Sequence, residues 1–139
     1  MDVKVTWKQE MAFTGTADSG HEVMLDSAEG SGGHNTGFRP MELMALGTAG
    51  CTSMDVVSIL RKKRVPFTAL ECKVHVESVQ DAHPHVFELM EFEYIVTGKG
   101  INPADVERAV QLSQDKYCPG IAMLRKTAEI RSKITIIGE

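Results

Sequence analysis

The stretch Arg39-Pro40-Met41-Glu42-Leu43-Met44-Ala45-Leu46-Gly47-Thr48-Ala49-Gly50-Cys51-Thr52-Ser53-Met54-Asp55-Val56-Val57-Ser58-Ile59-Leu60 decides how the chain is read. It is the longest weakly polar run, and it opens with a proline at a first-turn position, where the missing N–H costs nothing. The pattern predicts a long central helix that carries a thiol, Cys51, in its middle, with glycines at 47 and 50 close by. Four consecutive cations, Arg61-Lys62-Lys63-Arg64, fall where that helix should end and complement the negative end of its dipole. A helix apolar on more than one face needs cover on both sides, which makes a partner subunit a reasonable inference.

Upstream, Val3, Val5 and Trp7 alternate with Lys4, Thr6 and Lys8, the period-two signature of a strand. Further strands are expected over Ala12 to Ala17 and Glu22 to Ser27, joined through the turn residues Asp18-Ser19-Gly20. The run from Glu29 to Phe38 is too rich in glycine for a regular element and lacks the Lys-Ser/Thr ending of a phosphate-binding loop. It reads as a mobile loop leading onto the central helix. Downstream, Leu70, Cys72, Val74 and Val76 alternate with Glu71, Lys73, His75 and Glu77. With a mate running from about Val86 to Thr97 they form a hairpin. Asn102-Pro103 starts a helix expected to reach about Tyr117, Cys118-Pro119 starts a short one, and Ile130 to Ile137 closes as a strand. Strands, long helix, strand pair, two helices and strand make an α+β fold, a helix layer against antiparallel sheet, in one domain over residues 1–139.

A chain of 139 residues buries roughly 70% of its unfolded surface, enough for a real core. Hydrophobic residues at 42% and charged ones at 24% exclude disorder. A net charge of −4 argues against a nucleic-acid surface. No segment is expected to reach the ~20 apolar residues of a membrane span, and the polar N-terminus is no signal peptide, so a cytoplasmic protein without a membrane partner is expected. Three cysteines make no secreted disulfide framework and turn attention to thiol chemistry or plain burial.

Cys118, at a helix start, should be the more acidic thiol on local sequence alone, whereas apolar neighbours should raise the pKa of Cys51 unless a cation is near. Arg39 is the candidate cation. Asp55, one turn after Cys51, would oppose thiolate formation. Glu42 lies nine residues before Cys51, ~13 Å along a straight helix and on its opposite side, so their meeting would need a kink or a second subunit. Cys72 reads as core. The spacing fits neither a CxxC motif nor a zinc site, and neither metal nor cofactor is expected. Residue pattern alone leaves Cys51 and Cys118 open between inert packing and chemistry.

Pro40-Met41-Glu42-Leu43, Ala49-Gly50-Cys51-Thr52, Asp55-Val56-Val57 and Tyr117-Cys118-Pro119, 67 residues after the first cysteine, with the closing strand, resemble the OsmC/Ohr family of osmotically induced and organic-hydroperoxide-resistance proteins. The Pro-Met-Glu-Leu and Gly-Cys-Thr pattern looks like a less characterised branch. The resemblance covers nearly the whole chain. It implies an intertwined homodimer built around central helices and a thiol-dependent peroxidase. Cys51 matches the cysteine that attacks the hydroperoxide, Cys118 the one that resolves its sulfenic acid to a disulfide, and a lipoyl- or thioredoxin-type dithiol the reductant. Organic hydroperoxides are the expected substrates, Met44, Leu46 and Met54 lying around the thiol. The chain departs from the best-characterised members in two places. It has no arginine before Arg39, and Met41 stands where they carry a glutamate, with Glu42 one place later. Arg39 and Glu42 are therefore substitutes chosen by proximity. The alternative reading is a redox-sensing or small-ligand-binding dimer with little turnover, and beyond it a structural dimer with inert thiols.

Overall fold

Period-two alternation becomes strand wherever the sequence carries it. The computed structural model describes residues 1–139, which divide into two compact units, 1–44 and 45–139. In the first unit β1 (Val3–Gln9), β2 (Ala12–Ala17) and β3 (Glu22–Leu25) form an antiparallel meander in that order. The turn expected at Asp18-Ser19-Gly20 is there, with the Gly20 N–H on the Ala17 carbonyl and Gly20 at φ 84, where a side chain would be strained. The register aligns Val5 with Gly15 and Val23, and Trp7 with Phe13 and Leu25, so one face of the sheet is apolar.

The glycine-rich segment is folded, not loose, and its organiser lies three residues before it. Asp26, only 4% exposed, accepts the backbone N–H groups of Ser27, His34 and Thr36 at 2.7, 3.1 and 3.1 Å and the Thr36 hydroxyl at 2.7 Å. A side chain at Gly33 would run into Ser27 and Asp26, so glycine there allows the close wrap. Glycine content suggested mobility; one buried carboxylate collecting amides decides otherwise. These bonds, that of the Thr36 hydroxyl first, hold the Asp26 carboxyl well below the usual carboxylate range.

The helix α1 (Pro40–Lys62) ends as its cations announce. Arg64 takes a left-handed φ of 58, its N–H bonds the Arg61 carbonyl, and the Val65 N–H bonds that of Leu60, a Schellman closure. In the second unit β4 (Phe67–Ser78) and β5 (Phe87–Gly98) form the expected antiparallel hairpin. Inward Met90, Phe92, Tyr94 and Val96 meet Val56 and Leu60 of α1, Val106, Ala109 and Val110 of α2 (Pro103–Leu112) and Ile121 of α3 (Pro119–Leu124) in one core.

Three expectations are corrected. The strand β6 (Glu129–Ile137) pairs with β5 in parallel, so the second sheet, β4-β5-β6, is mixed. The two helices between β5 and β6 form a crossover, which returns the chain in the same direction. α2 stops at Leu112, and a π-helical turn, Ser113–Tyr117, carries the chain to Cys118. α1 is by length and composition apolar enough to cross a bilayer, since between Glu42 and Arg61 its only charge is Asp55 and its other polar positions are small Thr and Ser. Its residues Thr48, Thr52, Val56 and Leu60 are buried at intervals of four, the stripe of a globular core helix.

Asp26→Ala is expected to speed hydrogen exchange at the His34 and Thr36 amides and to lower the thermal midpoint. Because the folded pKa is depressed, the stabilisation is complete above about pH 4 and is lost as pH falls below it. Denaturant melts between pH 6 and 2 check this through a shallower acid limb in Asp26→Asn.

Candidate active site

Two reversals of the chain bring Cys118 to Cys51. The first is the π turn, in which the Cys118 N–H bonds the Ser113 carbonyl at 2.8 Å. The second is the start of α3. There Cys118 is the N-cap, its Sγ accepts the Ile121 N–H at 3.4 Å, and Pro119 occupies the first helical position. A Cβ built on Gly120 would sit 3.2 Å from Thr48 Oγ1, so the absent side chain lets α3 approach α1 closely. The outcome is a Cys118 Sγ to Cys51 Sγ distance of 3.1 Å, with Cys118 as donor. That is about 1 Å longer than a disulfide bond. All three cysteines are free thiols.

The two thiols differ in burial. Cys51 is half-buried, whereas Cys118 is 3% exposed. Burial pushes the Cys118 thiol up to about 11; the Ile121 and Gly120 amides oppose this, and the bond and charge of Cys51 add to it. This opposes the acidity expected of a helix-start cysteine, because desolvation outweighs the amides of a six-residue helix. Cys118 therefore keeps its proton at neutral pH. Cys72 is a half-buried neighbour of the core, as its strand pattern predicts, and burial raises its pKa too.

Arg39 and Glu42 form a second pair, in the first unit. The Arg39 backbone N–H donates to Glu42 Oε1 at 2.8 Å, half of a capping box at the start of α1. The Arg39 guanidinium donates to the Gly37 carbonyl at 3.1 Å and to Asn35 Oδ1 at 3.0 Å. Both residues thus have local structural duties at the helix entrance.

A group of polar residues, of which the sequence singled out only Asp55, lies next to the thiols. Thr52 Oγ1 is 2.8 Å from the Tyr94 hydroxyl and 2.7 Å from Ser113 Oγ. Ser113 Oγ donates to Asp55 Oδ2 at 2.8 Å, and Gln114 Nε2 donates to the Tyr94 hydroxyl at 3.1 Å. Thr52, Tyr94 and Ser113 are fully buried. Left unpaired, each hydroxyl would cost roughly 1–3 kcal/mol; here all are satisfied. Burial raises the Tyr94 phenol to about 12. The available signal was a hydroxyl residue, Thr52, on the same helical stripe as Val56 and Leu60.

The OsmC family model, described as OsmC-like protein, matches residues 33–133. The chain belongs to the OsmC-like family. Protein YhfA of Escherichia coli K12 is 34% identical over 137 residues, covering 99% of this chain and 98% of that one. The crystal structure of a hypothetical protein from Aquifex aeolicus VF5 superposes with a TM-score of 0.87 at 26% identity, covering 99% of this chain and 96% of that one. The organic hydroperoxide resistance protein OhrB of Bacillus subtilis has the same fold, with a TM-score of 0.65 at 20% identity over 97% of this chain and 98% of that one. The OsmC-like α+β architecture read from the sequence is the observed one.

A thiol kept protonated in the fold stabilises the native state fully below its unfolded pKa of about 8.5 and loses that contribution as pH rises toward its folded value. Urea midpoints measured from pH 7 to 11 should therefore fall above about pH 9 in the reduced protein. In Cys118→Ser the fall should be smaller, the remainder coming from Cys72 and, above about pH 10, from Tyr94.

Proposed function

We propose that this OsmC-like protein is a thiol-dependent peroxidase that reduces organic hydroperoxides, with Cys51 as the attacking and Cys118 as the resolving cysteine. The observation that carries the reading is the 3.1 Å approach of two thiols 67 residues apart. The assignment of roles follows from their difference. Cys51 is accessible to substrate and accepts a hydrogen bond, whereas Cys118 is buried and holds its proton. The hydroperoxide-resistance names of several OsmC-fold neighbours support the substrate class.

In this mechanism the Cys51 thiolate attacks the terminal oxygen of ROOH. The O–O bond breaks, the alkoxide takes a proton and leaves as ROH, and Cys51 becomes a sulfenic acid. Cys118, deprotonated as it attacks, displaces hydroxide from the Cys51 sulfur; hydroxide leaves with that proton as water and a disulfide remains. An external dithiol of lipoyl or thioredoxin type returns both thiols and is itself oxidised to a disulfide. Arg39, whose backbone N–H Glu42 fixes at the start of α1, is the cation proposed for favouring the Cys51 thiolate and the departing alkoxide. The setting is a reducing cytoplasm.

One equivalent of cumene hydroperoxide should remove two thiols and about two mass units from the wild type. A sulfenic acid should be trapped in Cys118→Ser and absent from Cys51→Ser. Dithiol-supported turnover should be faster with cumene hydroperoxide than with hydrogen peroxide, and slower in Arg39→Ala. A disulfide that forms without turnover would instead favour a redox sensor.

We also propose a homodimer. Val3, Val5 and Trp7 are 72%, 63% and 63% exposed on the apolar face of the first sheet, beside an apolar groove of about 350 Å³ lined by Val5, Met11, Phe13 and Leu25. On α1, Leu46 and Met54 are 55% and 76% exposed. A tryptophan and two valines open to water on one strand are the mark of a surface built to be covered. Light scattering should give twice the chain mass, and Trp7→Glu should shift it toward the monomer.

A further inference from the structure

The buried hydroxyl chain has a direction. A carboxylate accepts, so Ser113 donates to Asp55; with its one proton engaged, Ser113 accepts from Thr52, and Thr52 in turn accepts from Tyr94. Tyr94 accepts from the Gln114 amide, which has only donors to offer on that nitrogen. The whole series runs from Gln114 to Asp55 with one consistent polarity, the arrangement in which neighbouring bonds strengthen one another.

Ser113 stands where this chain meets the thiols. Its carbonyl holds the Cys118 N–H at 2.8 Å. Its side chain reaches two residues of α1, Thr52 directly after Cys51 and Asp55 one turn beyond it. Sliding the π turn along α1 would break the side-chain bonds of a fully buried residue where no water can replace them. We propose that Ser113, anchored by Thr52 and Asp55 and braced by Tyr94 and Gln114, is a positioning residue that holds Cys118 Sγ at attack distance from Cys51. The proposal rests on the reading of these two thiols as a reacting pair and adds what regulates their encounter. The reaction it serves is attack of the Cys118 sulfur on the Cys51 sulfenic acid, with the S–O bond broken, the S–S bond formed and water released.

The test does not need a peroxide. Equilibration with glutathione follows the exchange of the protein dithiol and oxidised glutathione for the protein disulfide and two reduced glutathiones, and its constant measures the effective concentration of one thiol at the other. Ser113→Ala and Thr52→Val are expected to lower that constant by about tenfold or more, while Thr52→Ser, which keeps the hydroxyl, stays within about threefold of wild type. Val106→Ala, a core change in α2 outside the hydroxyl chain, serves as the control for general loosening and should also stay near wild type. After one equivalent of cumene hydroperoxide, dimedone should trap a longer-lived Cys51 sulfenic acid in Thr52→Val than in Thr52→Ser. If Ser113→Ala does not fold, the two Thr52 variants decide. The proposal is overturned by a Thr52→Val constant equal to wild type, by an equal fall in Val106→Ala, or by a wild type that forms no Cys51–Cys118 disulfide in glutathione. A wild type that forms the disulfide in glutathione but ignores cumene hydroperoxide would sink the peroxidase reading and leave the positioning role supported by the Thr52 pair.

Discussion

The bond between Thr52 and Ser113 is the constraint on which the second unit turns. It joins the central helix to the π turn inside a fully buried region, so neither partner can exchange the other for water. In the proposed positioning role, that attachment fixes where along α1 the turn before Cys118 sits. The Tyr94 hydroxyl ties the same point to the middle strand of the mixed sheet, so helix, strand and turn share one polar joint within an otherwise apolar core. A core of aliphatic and aromatic side chains alone gives stability with little register. Directional bonds at its centre select one alignment of the pieces, since a shifted one would leave several hydroxyls unpaired.

The thiol pair is built from asymmetry. One sulfur is accessible and accepts; the other is buried, protonated and donates. A helix N-terminus favours the thiolate, but α3 has only six residues, and its first amides do not offset the desolvation of a side chain at 3% exposure. A buried thiol that holds its proton is a poor nucleophile, which suits Cys118 to the resolving role proposed for it.

Periodicity made most of the fold legible. Alternation in Leu70 to Val76 and Met90 to Val96 located the hairpin and its inward face, Asn102-Pro103 and Cys118-Pro119 marked two helix starts, and Arg61 to Arg64 marked a helix end. What stayed hidden depends on partners far apart in the chain. Asp26 organises a loop that glycine content suggested was loose, through bonds reaching ten residues ahead. The joint between Thr52, Tyr94 and Ser113 spans 42 and 61 residues, and each member alone is an unremarkable hydroxyl. The parallel pairing of β6 could have been read from the helices before it. Of the candidate site, spacing alone left both cysteines open and the family resemblance singled them out, while the raised pKa of Cys118 depends on burial that no local pattern reports.

The parallel strand pairing also orders events as the chain is made. β5 gains its neighbour β4 at once through a local hairpin, but its other edge stays open until some thirty further residues have been added and β6 arrives. During that interval β5 offers a row of unpaired amides and carbonyls, flanked by Met90, Phe92, Tyr94 and Val96 that the fold later buries. The same interval contains the two helices that cover that apolar face. They are synthesised before the strand that closes the edge, so the nascent sheet is shielded on its sticky side before it is complete.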